Sequence, residues 1–375
     1  MRLAALFSAA LLCQAQSPTW RDVAPLFDRW CNQCHRAGQV GPFDFTTYEG
    51  ASAYAPEILR ELNAAKMPPW PVKPGPITFA NSRRLPDEVT AKILTWISEG
   101  AKPGTPASTA ARNPQWNVGT PDLIVSQPKE HTVSAEKTVE ILRFEISPAA
   151  LGTQTEDRYV RAIELRPSNR NLLHHAILID GKSPIAAWAL CDTGLRLPTG
   201  VAWKLSRNKA LTVELHYFKR TLRPARDLTR VAFFFAAAKP TRIASLIELT
   251  TPELRIPAGA NLHMERTIYQ VPEDIRLHSI LPVFQLLAAD IRMRINGNRD
   301  YALWVEPFEH HLMSSYILAQ PLALAKGTRI EAEAFYDNST QNPFNPHKQL
   351  REVHFDENGL DETFRFWLTV SRPNR

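Results

Sequence analysis

Two cysteines and a histidine near the start of the chain have the spacing of a covalent haem site, in Cys31-Asn32-Gln33-Cys34-His35. The two thiols can form thioether bonds to the porphyrin vinyl groups, and the adjacent imidazole can bind the iron. C-x-x-C alone also occurs in zinc sites and thioredoxin-like redox pairs. The histidine that follows favours haem c, with Cys31 and Cys34 as attachment points and His35 as an axial ligand.

A methionine in a proline-rich loop is the candidate sixth ligand of the iron. Met67 precedes Pro68 and Pro69, which hold the backbone extended beyond it. A thioether opposite a histidine raises the reduction potential of haem iron and suits electron transfer. The alternative is a methionine of the apolar core.

Three histidine sites further along the chain suit a transition metal. His174 and His175 are adjacent, His216 stands in Glu-x-His-Tyr, and His310 and His311 form a second pair. Imidazole binds copper, zinc, iron and nickel, so converging histidines would not name the metal. Adjacent residues of a regular strand point to opposite faces, so His174 and His175 can share an ion only at a strand end or a bulge. A structural zinc ion and ordinary surface or core histidines are the alternatives.

The segments that must position the haem motif read as helices. Apolar residues recur every three or four positions between Trp20 and Cys31, a second helical segment runs from Ala51 to Ala65, and a third begins at Pro86 and ends before Gly100. We therefore expect a small helical cytochrome c domain at residues 17–102. Residues 103–122, rich in Pro, Thr, Ser and Ala, read as a linker.

Beyond the linker the pattern changes to short runs of β-branched and aromatic residues separated by Pro, Gly and Asn. These runs are Val139–Ile146, Tyr159–Leu165, Leu172–Ile179, Leu211–Phe218, Val231–Phe235, Asp290–Ile295, Thr328–Tyr336 and Arg365–Val370. The region is long for one sandwich, so the prediction is two jelly-roll-like β-sandwich domains, at 123–245 and 246–375. The predicted fold class is multidomain, α then all-β.

The first residues resemble a targeting segment, with Arg2, an apolar run and a small-residue cleavage site that ends at Ala15. A signal peptide at residues 1–15 predicts a periplasmic or otherwise exported protein, against the alternative of a buried N-terminal helix. No later stretch has the roughly 20 apolar residues of a transmembrane helix. Without Cys13 and the haem pair, Cys191 is left over, and a small buried hydrophobe is its simplest interpretation.

Composition excludes several classes of function. The formal net charge of +6 is spread along the chain without a run of Lys and Arg, which argues against nucleic-acid binding. Hydrophobic residues make up 44% and charged residues 22%, which indicates neither wholesale disorder nor a membrane bundle. The partners to expect are a redox protein or a small electron donor or acceptor.

The order of motifs resembles the copper type II, ascorbate-dependent monooxygenases, the family of peptidylglycine hydroxylase and dopamine hydroxylase. It is most similar to bacterial members with a cytochrome c module ahead of the monooxygenase region, and the resemblance covers most of the mature chain. The motifs are His174-His175, Glu214-x-His216-Tyr217, Tyr336-Asp337-Asn338-Ser339, Asn342-Pro343, Asn345-Pro346, Met67-Pro68-Pro69-Trp70 and Gly119-Thr120-Pro121-Asp122.

The resemblance implies one of the family's two copper sites. The electron-accepting copper, bound by three histidines, carries over onto His174, His175 and His216. The oxygen-activating site does not, because the family's Pro-His-Met-His is 282-Pro-Val-Phe-Gln-285 here and its Glu-Met is 362-Glu-Thr-363. A substitute site would have to come from His278, His310, His311 or Met313.

The sequence therefore predicts an exported c-type cytochrome that transfers electrons, fused to a degenerate copper monooxygenase-like module that retains one copper site. The alternative is a haem-fed, copper-dependent monooxygenase that hydroxylates a C–H bond of an unknown substrate. No catalytic residue is assigned, because the ligands of the oxygen-activating metal are missing.

Overall fold

The structure is a computed structural model that describes residues 17–104, 116–358 and 360–374 of the 375-residue chain. The predicted signal peptide, 1–15, and most of the predicted linker, 103–122, lie outside the described residues. The described chain forms two units. Unit 1 comprises residues 17–36, 43–68 and 84–104, and unit 2 comprises 37–42, 69–83 and the described residues from 116 onward.

Unit 1 contains four short helices, α1 (Trp20–Trp30), α2 (Tyr48–Ala53), α3 (Ala55–Asn63) and α4 (Asp87–Ser98). Thr19 caps α1 in a capping box with Asp22, which accepts its backbone N–H at 2.9 Å. The rings of Trp20 and Phe27 on α1 lie 5.6 and 5.8 Å from the ring of Trp96 on α4. This aromatic contact fixes the helix that ends at the haem motif. No helix within the described ranges has the length and apolar character needed to cross a membrane.

The described part of unit 2 is built from strands, with a short α-helix, α5 (Pro148–Leu151), and a 3-10 turn at His310–Leu312. Its strands before residue 240 are β1 (Leu123–Ser126), β2 (His131–Val133), β3 (Val139–Ile146), β4 (Arg158–Arg166), β5 (Leu173–Asp180), β6 (Ser183–Ala189), β7 (Leu195–Arg196), β8 (Val201–Leu205), β9 (Leu211–Phe218), β10 (Ala225–Asp227) and β11 (Arg230–Phe235). The later strands are β12 (Arg242–Thr250), β13 (Arg255–Ile256), β14 (His263–Gln270), β15 (Ile275–Val283), β16 (Ala288–Ile295), β17 (Leu303–Val305), β18 (Tyr316–Leu324), β19 (Arg329–Tyr336), β20 (Val353–His354) and β21 (Arg365–Pro373).

Two apolar cores lie against one large sheet. Its strand order is β1-β11-β4-β8-β12-β21-β15-β18, and β7 pairs with β4. One core combines buried residues of the sheet β3-β9-β5-β6 with those of β4, β8 and β11, such as Leu178 and Phe233. The other combines the sheet β14-β19-β16-β17 with β12, β15 and β21, through residues such as Ile291 and Leu368. Both cores therefore depend on the same nine-stranded sheet.

Strand β12 connects the two parts of that sheet. It pairs with β21 over nine residues, from Arg242 opposite Pro373 to Thr250 opposite Arg365. On its other side it runs parallel to β8, where Ala244 lies opposite Trp203. The sequence between the two halves of unit 2 is therefore a central strand.

The predicted fold class, a small helical cytochrome c domain followed by two jelly-roll-like β-sandwich domains, is wrong. The described residues are mainly strand, and the helices are few and short. The helical segment is also not one continuous domain, because Ala37–Pro42 and Pro69–Arg83 belong to the β-rich unit. Isolated β-bridges join Val72 to Val305 and Phe79 to Leu318, which ties the second of these segments to the strands. The class is mainly β, with sheets packed face to face.

Candidate functional site

The haem motif continues the last turn of α1. The backbone N–H of Cys31 donates to Phe27 O at 2.9 Å, and the N–H groups of Cys34 and His35 donate to Cys31 O at 3.1 and 2.9 Å. Bonds to the third and fourth preceding residues are those of helical turns. Cys31, Cys34 and His35 therefore follow one another around a single turn, as attachment to one ring edge requires.

The side chains of this turn have the chemical state that haem attachment requires, namely cysteines outside disulfides and a neutral imidazole. None of the described cysteines is in a disulfide. Burial, together with the nearby Cys34, raises the pKa of the Cys31 thiol to about 12. Burial lowers the pKa of His35, which favours the neutral imidazole that metals bind. The His35 ring stacks on Phe45 with centroids 4.6 Å apart, which restricts its orientation.

Met67 lies in the loop that follows α3 and is 37% exposed. A methionine of the apolar core would be buried, as Met293 and Met313 are in unit 2. The exposure of Met67 therefore disfavours the core alternative and leaves its thioether available as a ligand.

The three histidines predicted to bind copper lie side by side in unit 2. His175 on β5 pairs directly with His216 on β9, and the register shifts between Leu173 and His175. His174 is therefore the extra residue of a β-bulge, the situation in which neighbouring side chains can turn to the same side. The rings of His175 and His216 stack with centroids 4.0 Å apart, and those of His174 and His175 lie 5.3 Å apart.

Hydrogen bonds determine which ring nitrogen carries the proton in His174 and in His216. Nε2 of His174 lies 3.0 Å from the carbonyl oxygen of His310, which can only accept, so Nε2 carries the proton and Nδ1 has the lone pair. Nε2 of His216 lies 2.6 Å from a carboxylate oxygen of Glu214. Histidines that bind a metal usually donate their other N–H to a carbonyl or carboxylate in this way. Nδ1 of His174 lies 3.1 Å from Nδ1 of His175, whose Nε2 is buried with no partner within the described structure.

Glu214 links this cluster to a surface cation. It is buried, accepts from Nε2 of His216, and forms an ion pair with Arg143 at 2.5 Å. Burial raises the pKa of Glu214, but His216 and Arg143 outweigh that effect and hold the pKa below its ordinary value. A charged Glu214 favours a proton on Nε2 of His216, which leaves Nδ1 for a ligand. The Glu-x-His spacing in the sequence already indicated that Glu214 lies beside His216, because residues two apart on a strand share a face.

His310, which sequence reasoning did not assign to this site, is the fourth histidine of the cluster. Its ring stacks on His174 with centroids 3.9 Å apart, and its Nε2 lies 3.1 Å from Oε1 of Gln285. Burial lowers the pKa of His174 to about 3 and lowers that of His310 well below its ordinary value. The pair is therefore neutral near pH 7. The pair His310-His311 was evident in the sequence, but His310 and His174 are 136 residues apart, so their contact could not be predicted from a local pattern.

A buried carboxylate fixes the segment that carries His310. Asp192 accepts from the backbone N–H and the hydroxyl of Ser315 at 2.8 and 2.7 Å, and from the hydroxyl of Ser314 at 3.2 Å. It also accepts the N–H of Ala189 at 2.9 Å. Asp192 thus joins the end of β6 to the segment just after His310. The adjacent Cys191 is buried in the core, which agrees with its simplest interpretation.

The segments 282–285 and 362–363, where the sequence lacks the ligands expected for a second copper, form a packed turn. The Thr363 hydroxyl donates to Val283 O at 3.0 Å, and Glu362 accepts the backbone N–H groups of Leu287 and Thr363, each at 2.8 Å. Glu362 also accepts the N–H of Gln285. These contacts are those of a structural turn between β15 and β16.

The residues considered as substitute ligands are dispersed. His278 bonds to Ser371, Nε2 of His311 lies 3.0 Å from a carboxylate oxygen of Glu309, and Met313 lies in the core. Within residues 17–104, 116–358 and 360–374, no group of three or more His, Cys, Asp or Glu residues has the arrangement of a metal site.

Comparison with known proteins adds little to this description. No protein-family model matches the chain, and no curated protein matches it. Among solved structures, the chain is similar to the major capsid protein P2 from bacteriophage PM2, at 9% identity and a TM-score of 0.33, over 67% of this chain and 97% of that one. A likeness this weak supports no conclusion about function.

We expect Glu362→Gln to lower the free energy of unfolding by about 1–3 kcal/mol, because an amide NH2 would face backbone N–H donors that now have a carboxylate acceptor. Burial raises the pKa of Glu362 to about 7, although the backbone donors act in the opposite direction. Denaturant unfolding followed by circular dichroism measures the change. Glu253→Gln, an exposed matched substitution, should alter stability by less than about 0.5 kcal/mol. Equal effects would contradict the role given to Glu362.

Proposed function

We propose that this chain is an exported c-type cytochrome that transfers electrons through a haem bound covalently at Cys31 and Cys34. The observation that carries this proposal is the helical turn that places Cys31, Cys34 and His35 in succession at the end of α1. Zinc and dithiol chemistry need the two cysteines but do not require the neighbouring histidine. The partner would be a redox protein or a small electron donor or acceptor.

The residues of unit 1 fit a haem in their chemistry. Two thiols outside any disulfide would hold the ring, neutral His35 would bind iron, and Met67 would supply a further iron ligand. The haem itself would supply a one-electron couple, whose potential histidine–methionine ligation raises. The side chains of Phe43, Phe45 and Tyr54 form a connected aromatic group beside His35, which would limit water at one edge of the site.

The test of covalent attachment is the double variant Cys31→Ser/Cys34→Ser, produced in a periplasm with haem-attachment machinery. We expect haem staining on a denaturing gel for the parent chain and none for the double variant, because serine forms no thioether. Cys191→Ser, in the core of unit 2, is the matched control and should keep its stain. Exported parent protein without bound haem would overturn the proposal.

We expect Met67→Ala to keep the covalent haem but to shift its visible spectrum towards a five-coordinate or high-spin form, because alanine has no sulfur to offer iron. The buried Met293→Ala is the control and should leave the spectrum unchanged. An unchanged spectrum in Met67→Ala would show that another group is the sixth ligand.

A single copper ion bound by His174, His175 and His216 is the second part of the proposal. Copper binds imidazole nitrogens, and a single ion would require its ligand nitrogens to lie close together. The Nδ1 atoms of His174 and His175 lie 3.1 Å apart. The bonds from Nε2 of His174 and His216 to oxygen acceptors also leave Nδ1 of each ring for the ion. These features support the proposal, although three ligands do not yet converge in the described structure.

We expect His216→Ala to lower copper per chain at least about tenfold after copper loading and dialysis, because it removes one of the three proposed ligands. Elemental analysis for iron, copper and zinc measures this. His354→Ala, a half-exposed histidine outside the cluster, is the control. Full copper in His216→Ala would refute the ligand assignment, and zinc in its place would indicate a structural metal. Two coppers per iron in the parent chain would support the monooxygenase alternative.

A further inference from the structure

The candidate metal ligand His174 is held by two segments of unit 2 that are far apart in sequence. Its Nε2–H donates to the carbonyl oxygen of His310 at 3.0 Å, and its own carbonyl oxygen accepts the N–H of Leu190 at 3.0 Å. The neighbouring His175 pairs with Ala189, the last residue of β6. The position and the proton of the His174 ring therefore depend on how the end of β6 is fixed to the segment around His310.

One buried carboxylate, that of Asp192, binds both segments. On the β6 side, Oδ2 accepts the N–H of Ala189 at 2.9 Å. On the other side, Oδ1 accepts the N–H of Ser315 at 2.8 Å and the hydroxyl of Ser314 at 3.2 Å, and Oδ2 accepts the Ser315 hydroxyl at 2.7 Å. Each oxygen thus accepts two hydrogen bonds, which leaves the carboxylate no lone pair for a metal. Asp192 therefore acts on the histidine cluster through the segments that it joins.

Further hydrogen bonds hold the same two segments from other directions. Arg170, which is buried, donates to the carbonyl oxygens of Leu190 and Asp192 at 2.7 and 3.1 Å. The side-chain amide of Asn81 donates to the carbonyl oxygen of Ser315 at 2.7 Å. A variant that loses one bond to Asp192 should therefore keep the fold of both segments and change mainly their fit to each other.

From these contacts we infer that Asp192 is a positioning residue for the metal site. By joining the end of β6 to the segment that follows His310, it keeps the His310 carbonyl oxygen on Nε2 of His174, so the ring proton stays there and Nδ1 presents its lone pair. Groups that orient a metal-binding histidine typically change metal affinity by about 10–100-fold when they are lost. The effect on metal binding rests on the proposed copper site, whereas the effect on the His174 ring belongs to the chain without metal.

The first test reads the His174 ring in metal-free protein, by heteronuclear NMR of the imidazole nitrogens in a chain labelled at histidine. The His174 signals are assigned by their loss in His174→Gln. We expect the parent chain to carry the proton on Nε2 of His174. In Ser315→Ala, and more strongly in Asp192→Asn, the signals should move towards a mixture of the two tautomers, because the segment that supplies the carbonyl acceptor is held by fewer bonds.

The matched control for this measurement is Ser206→Ala. The Ser206 hydroxyl also donates to a carboxylate, that of Asp180, which lies at the opposite end of β5 from His174. Its loss should leave the His174 ring unchanged. A ring protonated on Nδ1 in the parent chain, or one that stays unchanged in both Ser315→Ala and Asp192→Asn, would overturn the inference. Where Asp192→Asn fails to fold, Ser315→Ala decides it.

The second test measures copper affinity by competition with a chelator, together with the electron paramagnetic resonance spectrum of bound Cu(II). We expect Asp192→Asn to bind copper about 10–100-fold more weakly and with an altered spectrum, while Ser206→Ala matches the parent chain. Parental affinity and spectrum in Asp192→Asn would refute its role in metal binding. A parent chain that binds no copper would instead refute the proposed copper site, and the His174 ring would then decide the inference alone.

Discussion

The pairing of β12 with β21 is the interaction on which unit 2 depends. Nine consecutive residue pairs join these strands, and β8 runs along the other side of β12. Because the same sheet forms a wall of both apolar cores, neither core can be completed without it. The fixed register of the sheet also aligns Trp203 on β8 with Ala244 on β12.

Two β-bulges orient histidines in a way that a regular strand would not. His174 is the additional residue of β5, and His278 is the additional residue of β15. A regular strand would send His174 and His175 to opposite faces. In the bulge of β5, Nε2 of His174 donates to a carbonyl oxygen, which leaves Nδ1 of that ring as the acceptor.

Local patterns were predictable from the sequence, whereas long-range assembly was not. The periodic segments Val139–Ile146 and Leu211–Phe218 are strands with those bounds, and the apolar stripe from Trp20 forms α1. The segment from Ala51 to Ala65 was predicted as one helix but belongs to two helices, because the helical conformation is interrupted at Tyr54. The central role of β12 and the approach of His310 to His174 depend on pairings distant in sequence, which no local period records.

An unpaired buried nitrogen does not define a site by itself. It costs about 1–3 kcal/mol wherever it occurs, and the indole nitrogens of Trp188 and Trp367 bear that cost in the core. The same reasoning applies to Nε2 of His175, whose ring lies beside the rings of His174 and His216. A metal on Nδ1 of His175 would place the ring proton on Nε2, so binding would turn this nitrogen from an unpaired acceptor into an unpaired donor within the described residues.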